Sequence, residues 1–345
     1  MLFTQLNNFP AKNNKEIDLP LLWIFFIILL VSPLCNSYFY MNRNICFALT
    51  YLSLYINKRR KKMDITEWKW NTSDGLDMYS KAWLSSGEGK GVVCLIHGLG
   101  EHIGRYQIDG ETMAESGYIL AGFDQRGFRK SGGRRGHTPS LEAYFDDIDL
   151  FLAEIAQRYP DQPRFLYGHS MGGILVLAYT PIRKPQLAGV IATGPGLKTM
   201  IQEQKLKVFL SKLLGKVLPT LTLNNGLDAQ MLSRDPRVAD EYLNDPLTHS
   251  SITTAFGKTM LRAIDLVFEN APRFPLPLLI MHGTKDEIAY PSSSTIFAEL
   301  APKDKVTLKL WDGFKHELHN DPDKAEVFKV MINWLDNRLA DKIQI

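Results

Sequence analysis

The chain has 345 residues, 45% hydrophobic and 22% charged, which is enough apolar material for a sizeable core and excludes a disordered polymer. Its three cysteines, at 35, 46 and 94, give neither a disulfide framework nor zinc spacing. The formal charge of +3 is unevenly placed: residues 1–62 carry eight Lys/Arg against two acids and the rest carries 32 against 35, so a nucleic-acid footprint on the body is excluded.

The chain opens with two apolar runs, "LPLLWIFFIILLVSPLC" (19–35) and the weaker "ICFALTYLSLYI" (45–56), followed by the basic cluster "NKRRKK" (57–62). Both runs are short for a membrane span, which needs about 20 residues, and the first contains Pro33. No signal-peptide n-region or clean cleavage site accompanies them. Two readings of residues 1–62 stay open: a membrane anchor with the basic run on the cytoplasmic side, or an over-extended start with Met63 as the true first residue. The protein is expected to be membrane-associated under the first and cytoplasmic under the second.

From residue 63 the pattern changes. "ITEWKWN" and "LDMYSKAWL" flank the turn cluster "TSDG" and predict an antiparallel hairpin. Short apolar runs then alternate with helical stretches: "GVVCLIHG", "YILAGFD", "RFLYGH", "LAGVIATG", "LPLLIMHG" and "KVTLKLW". Cys94, inside the first of these, reads as a small buried hydrophobe. "SLEAYFDDIDLFLAEIAQRY" (140–159) is the clearest helix between them. Runs apolar on both faces and separated by helices predict an α/β fold with a mostly parallel sheet covered on both sides.

The rhythm breaks between 196 and 276, where no strong strand pattern occurs, and an inserted helical cap is expected at about 197–272 of a 63–345 domain. Within it, "KLKVFLSKLLGKVL" places Leu206, Phe209, Leu210, Leu213, Leu214 and Val217 on one helical face, with lysines around the other sides. That face either packs on the core or borders a greasy substrate or lipid interface.

"RFLYGHSMGGILVLA" (164–178) places Gly-x-Ser-x-Gly where a strand hands over to a helix. That is the setting of a nucleophile elbow, with Ser170 on a tight turn and Gly168 and Gly172 leaving room around it. A serine needs a base, and the base an orienting acid. In this type of fold the acid and then the histidine follow later strands. "LPLLIMHGTKDE" supplies Asp286, preferred to Glu287 because Gly-Thr-Lys-Asp places it on the strand-end turn. "VTLKLWDGFKHELH" supplies His316, preferred to His319 because it follows the Asp312-Gly313 turn. Backbone N–H donors for an oxyanion are expected from Leu99, in the strand-end loop "HGLG", and from Met171, the residue after the nucleophile. No metal or organic cofactor is called for.

At these residues the chain resembles the monoacylglycerol lipase branch of the α/β-hydrolases, over roughly residues 65–340. The resemblance rests on "HGLGEHIGRY" (97–106), "FDQRGFRKSGGRRGH" (123–137), "GHSMGG" (168–173), "LSRDPRVADEYLNDPL" (232–247), "HGTKDEI" (282–288) and "FKHELHND" (314–321). It implies an α/β-hydrolase fold and hydrolysis of a carboxylic ester of a lipid, fatty acid and glycerol being released from monoacylglycerol at a membrane or micelle surface. It implies no obligate protein partner. It further implies a polar wall of Glu101 and Arg105 beside the glycerol end, with His169, Tyr242 and His319 contacting the hydroxyls. Glu101 and Arg105 read equally as a structural i, i+4 ion pair, and Tyr242 as a packed aromatic. Short-chain carboxylesterase, lysophospholipase and acyltransferase activities remain rivals on the same triad. One departure stands out: the usual Asp-x-Arg-Gly-x-Gly ends in Arg129 here instead of glycine.

Overall fold

A computed structural model of the chain describes residues 64–199 and 215–343, all within one compact unit spanning Met63–Ile345. Ten strands occur among these residues. The first hairpin is β1 (Ile65–Asn71) with β2 (Asp77–Trp83). β3 (Gly91–Ile96), β4 (Tyr118–Phe123), β5 (Arg164–His169) and β6 (Gly189–Thr193) follow. β7 (Thr222–Asn224) and β8 (Ser251–Thr253) are short, and β9 (Leu278–Gly283) and β10 (Val306–Trp311) complete the set.

Eight of them form one sheet in the order β1-β2-β4-β3-β5-β6-β9-β10. β1 and β2 pair antiparallel and β2 joins β4 antiparallel, while every other neighbour pair is parallel. The parallel runs expected from the sequence are therefore the central strands. All residues of β3, β4, β6 and β9 are buried, as a sheet covered on both faces requires. β10 lies at the edge, and its alternating exposure and Lys309 suit an edge strand.

Alternate side chains divide between two cores. Val92, Cys94 and Ile96 face the layer of α2 (Leu141–Arg158), α3 (Met171–Arg183), α5 (Thr254–Asn270) and α6 (Pro291–Leu300). Val93 and Leu95 face α1 (Gln107–Glu115) and α7 (Lys324–Ile343). Ser140 caps α2 as its sequence signal indicated, its hydroxyl accepting from Ala143 N–H at 3.1 Å.

In the insertion, β7 and β8 form a separate two-stranded ribbon, with α4 (Pro236–Asn244) between them in the chain and α5 directly after β8. α5 buries Phe256, Met260, Ala263 and Val267 in the main core, so this part of the insertion belongs to the sandwich itself. The portion over the strand ends keeps only a small cluster of its own: Ala229, Leu232, Val238, Ala239 and Tyr242. Leu206, Phe209, Leu210, Leu213 and Leu214 lie outside the described residues, as do both apolar runs of residues 1–62. Val217 is described, and it is exposed. No helix among the described residues is long and apolar enough to cross a membrane.

The chain reverses direction across the sheet between β3 and β5, because β4 lies on one side of β3 and β5 on the other. Strand ends at such a switch point leave a crevice, and both Gly-rich loops of interest begin there.

Candidate active site

Ser170 joins the end of β5 to α3 with φ 54° and ψ −112°, a backbone region that a non-glycine residue occupies only under constraint. Its neighbours enforce the turn. A Cβ on Gly168 would strike the Gly172 carbonyl, and one on Gly172 would strike the Ile96 carbonyl. The glycines are thus required by close backbone approach. The Ser170 N–H is tied to the Thr193 carbonyl at 2.9 Å, which locks the elbow to β6.

The Ser170 Oγ lies 2.8 Å from His316 Nε2, and His316 Nδ1 lies 2.6 Å from Asp286 Oδ2. The other oxygen of Asp286 accepts the N–H groups of Ile288 and Ala289, both at 2.9 Å. The three residues chosen from the sequence are therefore brought together in hydrogen-bonding order, and Glu287 is exposed, away from them. Burial opposes charge on His316, but the Asp286 carboxylate outweighs it and holds the imidazole above its ordinary 6.5. Burial likewise works against ionised Asp286, yet the facing His316 and bonds from His282 and His316 keep it well below the usual carboxylate range. A hydroxyl, a ring nitrogen able to take its proton, and a fixed anion to stabilise the resulting cation are the groups that activating a serine requires.

Asp286 has a second imidazole neighbour that sequence reasoning missed. His282 Nε2 lies 3.0 Å from Asp286 Oδ2 and 2.8 Å from the Ala289 carbonyl, so that nitrogen carries a proton. The signal was present in "MHGTKD", but a histidine inside a buried strand reads first as core.

The loop after β3 is held from behind. His97 Nδ1 lies 2.8 Å from the Gly98 carbonyl and Nε2 accepts from Gln125 N–H at 3.0 Å. In a trans peptide the Leu99 N–H points opposite to that carbonyl, away from the His97 ring. Met171 opens α3, so its N–H has no acceptor within the helix. Both groups border Ser170 at the positive end of a helix.

The polar wall is more elaborate than an i, i+4 pair. Arg105 Nη1 bonds Glu101 at 2.7 Å, and its two terminal nitrogens also grip both oxygens of Glu317 at 2.6 and 3.0 Å. Glu101 additionally accepts from Gly98 N–H at 2.5 Å and from the Tyr106 hydroxyl at 2.7 Å. Glu317 takes a further bond from Asn320 at 2.7 Å. Burial penalises the Glu317 charge, but Arg105 overcomes it and leaves the carboxyl far below its normal range. Glu317 sits beside the base in sequence and 212 positions from Arg105, a partnership that no local pattern reveals.

Tyr242, from α4, lays its ring 5.0 Å from the Arg105 guanidinium. Its hydroxyl is buried without a hydrogen-bond partner among the described residues, and burial raises its pKa to about 12. His169 bonds Thr193 Oγ1 at 3.1 Å, and burial next to His316 lowers it to about 3, so it is neutral. Gly98, Leu99, Glu101, Arg105, His169, Ser170, Tyr242, His316 and Glu317 line one space, closed above by Leu227 and Leu232 of the insertion. That space is about 10 Å³, room for a single water. His319 does not line it. Its ring stacks on Tyr106 at 4.9 Å and meets His169 edge-on at 4.8 Å, one ring behind the surface, and burial lowers its pKa to about 3.

The Asp-x-Arg-Gly loop is structural. Arg126 is gripped by Asp147 of α2 and by Asp74 of the first hairpin turn. Arg129, at the position of the missing glycine, has φ 35°, so the loop keeps its glycine-like shape despite the side chain. Arg129 reaches Asp245, at the end of α4, at 3.9 Å, and Asp245 also bonds His102 at 2.7 Å.

Comparison with known proteins agrees with this geometry. The family model described as serine aminopeptidase, S33, matches residues 87–323. Rat monoglyceride lipase is 30% identical over 272 residues, covering 78% of this chain and 89% of that protein. An uncharacterized abhydrolase domain-containing protein of Dictyostelium discoideum is 39% identical over 273 residues, and the match spans 78% of this chain but 29% of that longer protein. The crystal structure of Paleococcus ferrophilus monoacylglycerol lipase superposes with a TM-score of 0.68 at 33% identity, covering 80% of this chain and all of that one.

Proposed function

Because this chain belongs to the monoacylglycerol lipase-like branch of the α/β-hydrolases, a family of serine ester hydrolases, we propose that it cleaves monoacylglycerol to fatty acid and glycerol. Ser170 Oγ attacks the ester carbonyl as His316 Nε2 takes its proton, and Asp286 orients and stabilises the imidazolium. The Leu99 and Met171 N–H groups receive the oxyanion. Glycerol departs with the proton from His316. Water then gives a proton to His316 and attacks the acyl carbon; the bond to Ser170 Oγ breaks as His316 returns that proton to Oγ, and the fatty acid leaves with Ser170 restored. Acyl chains need more room than the closed space offers, so Leu227 and Leu232 withdraw when substrate enters. The substrate is met at a membrane or micelle surface.

The observation that carries the headgroup assignment is the saturated wall. Both carboxylates beside Ser170 spend their oxygens on Arg105, Tyr106, Asn320 and a backbone N–H, so neither is left for the ammonium group an aminopeptidase must bind. Two carboxylates around one guanidinium also repel the phosphate of a lysophospholipid. A neutral diol suits the site, and the Tyr242 hydroxyl, unpartnered among the described residues, is a hydrogen-bonding group waiting for one.

The test compares 1-monoacylglycerol, diacylglycerol, lysophosphatidylcholine, an aminoacyl p-nitroanilide and p-nitrophenyl butyrate, using wild type and Ser170→Ala. Turnover is expected on monoacylglycerol and butyrate, and Ser170→Ala is expected to lose roughly 10⁶-fold in kcat. Hydrolysis of butyrate without monoacylglycerol would overturn the headgroup reading and leave the triad.

A further inference from the structure

β9 reads Leu-Leu-Ile-Met-His-Gly, every residue of it is buried, and His282 is its one polar side chain. Burying an imidazole costs free energy unless its nitrogens are bonded, and an aliphatic residue would fill the same space without that cost. Both nitrogens of His282 are spent. Nε2 reaches Asp286 Oδ2 at 3.0 Å and the Ala289 carbonyl at 2.8 Å, and Nδ1 lies 2.7 Å from the Ser294 hydroxyl on α6. With the proton on Nε2, Nδ1 is the acceptor for that hydroxyl, so Ser294 fixes the tautomer from behind.

The bonds close around one carboxylate. Asp286 Oδ1 takes the N–H groups of Ile288 and Ala289, and Oδ2 takes those of His316 Nδ1 and His282 Nε2, so four donors meet its four lone-pair sites. The two loops are already tied at the backbone. Thr284 N–H bonds the Trp311 carbonyl and Lys285 N–H bonds the Phe314 carbonyl, both at 2.9 Å. Those ties set where Asp286 and His316 stand. The swing of Oδ2, and the share of its charge that faces the base, are left to His282.

We propose that His282 is a positioning residue for the reaction: its Nε2–H divides Asp286 Oδ2 with His316, fixes the plane of the carboxylate and tempers its pull on the base. The inference rests on the triad assigned above and is independent of the headgroup. A second N–H on the same oxygen draws charge away from the bond to His316, so the base is weaker than an undivided carboxylate would make it. The other groups facing His316 are Glu317 and Glu101, which also favour its charged form, and His169, whose ring centroid lies 4.9 Å away. Substitution of His282 changes none of them.

The experiment records kcat, KM and the pH profile of p-nitrophenyl butyrate hydrolysis for wild type, His282→Leu and His282→Gln. His282→Leu is expected to lose about tenfold in kcat with KM unchanged. Its acidic limb in kcat/KM is expected to move up by about half a pH unit, since His316 then faces the whole charge of Oδ2. His282→Gln places an amide N–H where Nε2 stands and is expected to restore the wild-type limb and most of kcat. A packing role alone predicts a lowered denaturation midpoint with the limb unmoved. An unmoved or lowered limb in His282→Leu, or a glutamine variant that behaves like it, overturns the proposal. Wild type supplies a reading that needs no variant to fold: nitrogen NMR of labelled histidine is expected to show His282 protonated at Nε2 and not at Nδ1. A proton on Nδ1 overturns the proposal. Butyrate turnover that survives Ser170→Ala would remove the triad and this inference with it, whereas an unmoved limb leaves the triad standing.

Discussion

The strand-end groups and the inserted segment above them meet at one site but are built on different foundations. Ser170 and Asp286 each follow a strand buried on both faces, and their polar atoms are held by several short bonds to strand and turn backbone. Tyr242 and Leu232 rest on a cluster of five buried residues, beside a ribbon of two three-residue strands. The contrast teaches a division of labour. The hydrogen-bonded chain Ser170–His316–Asp286 sits where rigidity is cheapest, and Leu232, which parts to admit a lipid on the proposed function, sits in a small cluster.

Substitutions below the strand ends should cost chemistry, and those in the insertion should cost selectivity. Asp286→Asn is the most severe of the set and is expected to lower kcat about 10⁴-fold on every ester, because the amide cannot hold the required tautomer of His316. The same pair sets the pH response. His316 acts as a base only when neutral and its pKa is raised, so kcat/KM of wild type should fall with an acidic limb above pH 6.5. The sign for stability is opposite. A raised folded pKa gives stability that is full below the unfolded value near 6.5 and lost as pH rises through the folded value, so activity and this contribution trade against each other. A limb below 6.5 would show that Asp286 is not ionised beside the base.

Arg105→Met probes the joint between the two regions. It leaves Glu101 and Glu317 buried without their shared cation and is expected to destabilise the fold by about 3–5 kcal/mol, read as a lowered denaturation midpoint. An unchanged midpoint would mean that the wall is solvated and the saturated-wall argument is void. Tyr242→Phe is milder. Removing one unpartnered hydroxyl should lower kcat/KM on monoacylglycerol about tenfold, a loss of about 1.4 kcal/mol, with butyrate unaffected. An equal loss on both esters would make Tyr242 a packing residue. The smallest effect is expected from Arg129→Gly, which releases a positive φ at the expense of a long ion pair and should raise stability by about 1 kcal/mol or less.

Much of the fold was legible because local chemistry dictated it. The two-sided apolar runs became the inner strands, "TSDG" became the first hairpin turn, and Ser140 capped its helix. The triad was legible for the same reason, since each member follows a strand end marked by glycine. The roles of four residues were not. Glu317 and His282 matter through partners reached by tertiary folding, and an acid beside a histidine carries no local signature of an arginine far upstream. The lining role expected of His319 depended on ring order, and stacking on Tyr106 places it behind His169. Arg129 was visible as a departure, but only the backbone reveals that the loop keeps a glycine-like turn around it.

One carboxylate links two tasks. Glu101 holds the Gly98 N–H, at the base of the loop that presents the Leu99 amide, while its other oxygen takes the Arg105 guanidinium of the headgroup wall. On the proposed function, a headgroup that presses on this wall also presses, through the Glu101 side chain, on the loop that carries the Leu99 N–H. An alcohol that fits poorly is then penalised less by escaping than by reacting slowly, because its carbonyl is presented to a donor slightly out of line. Selectivity among glycerides should accordingly be written in turnover number more than in apparent affinity.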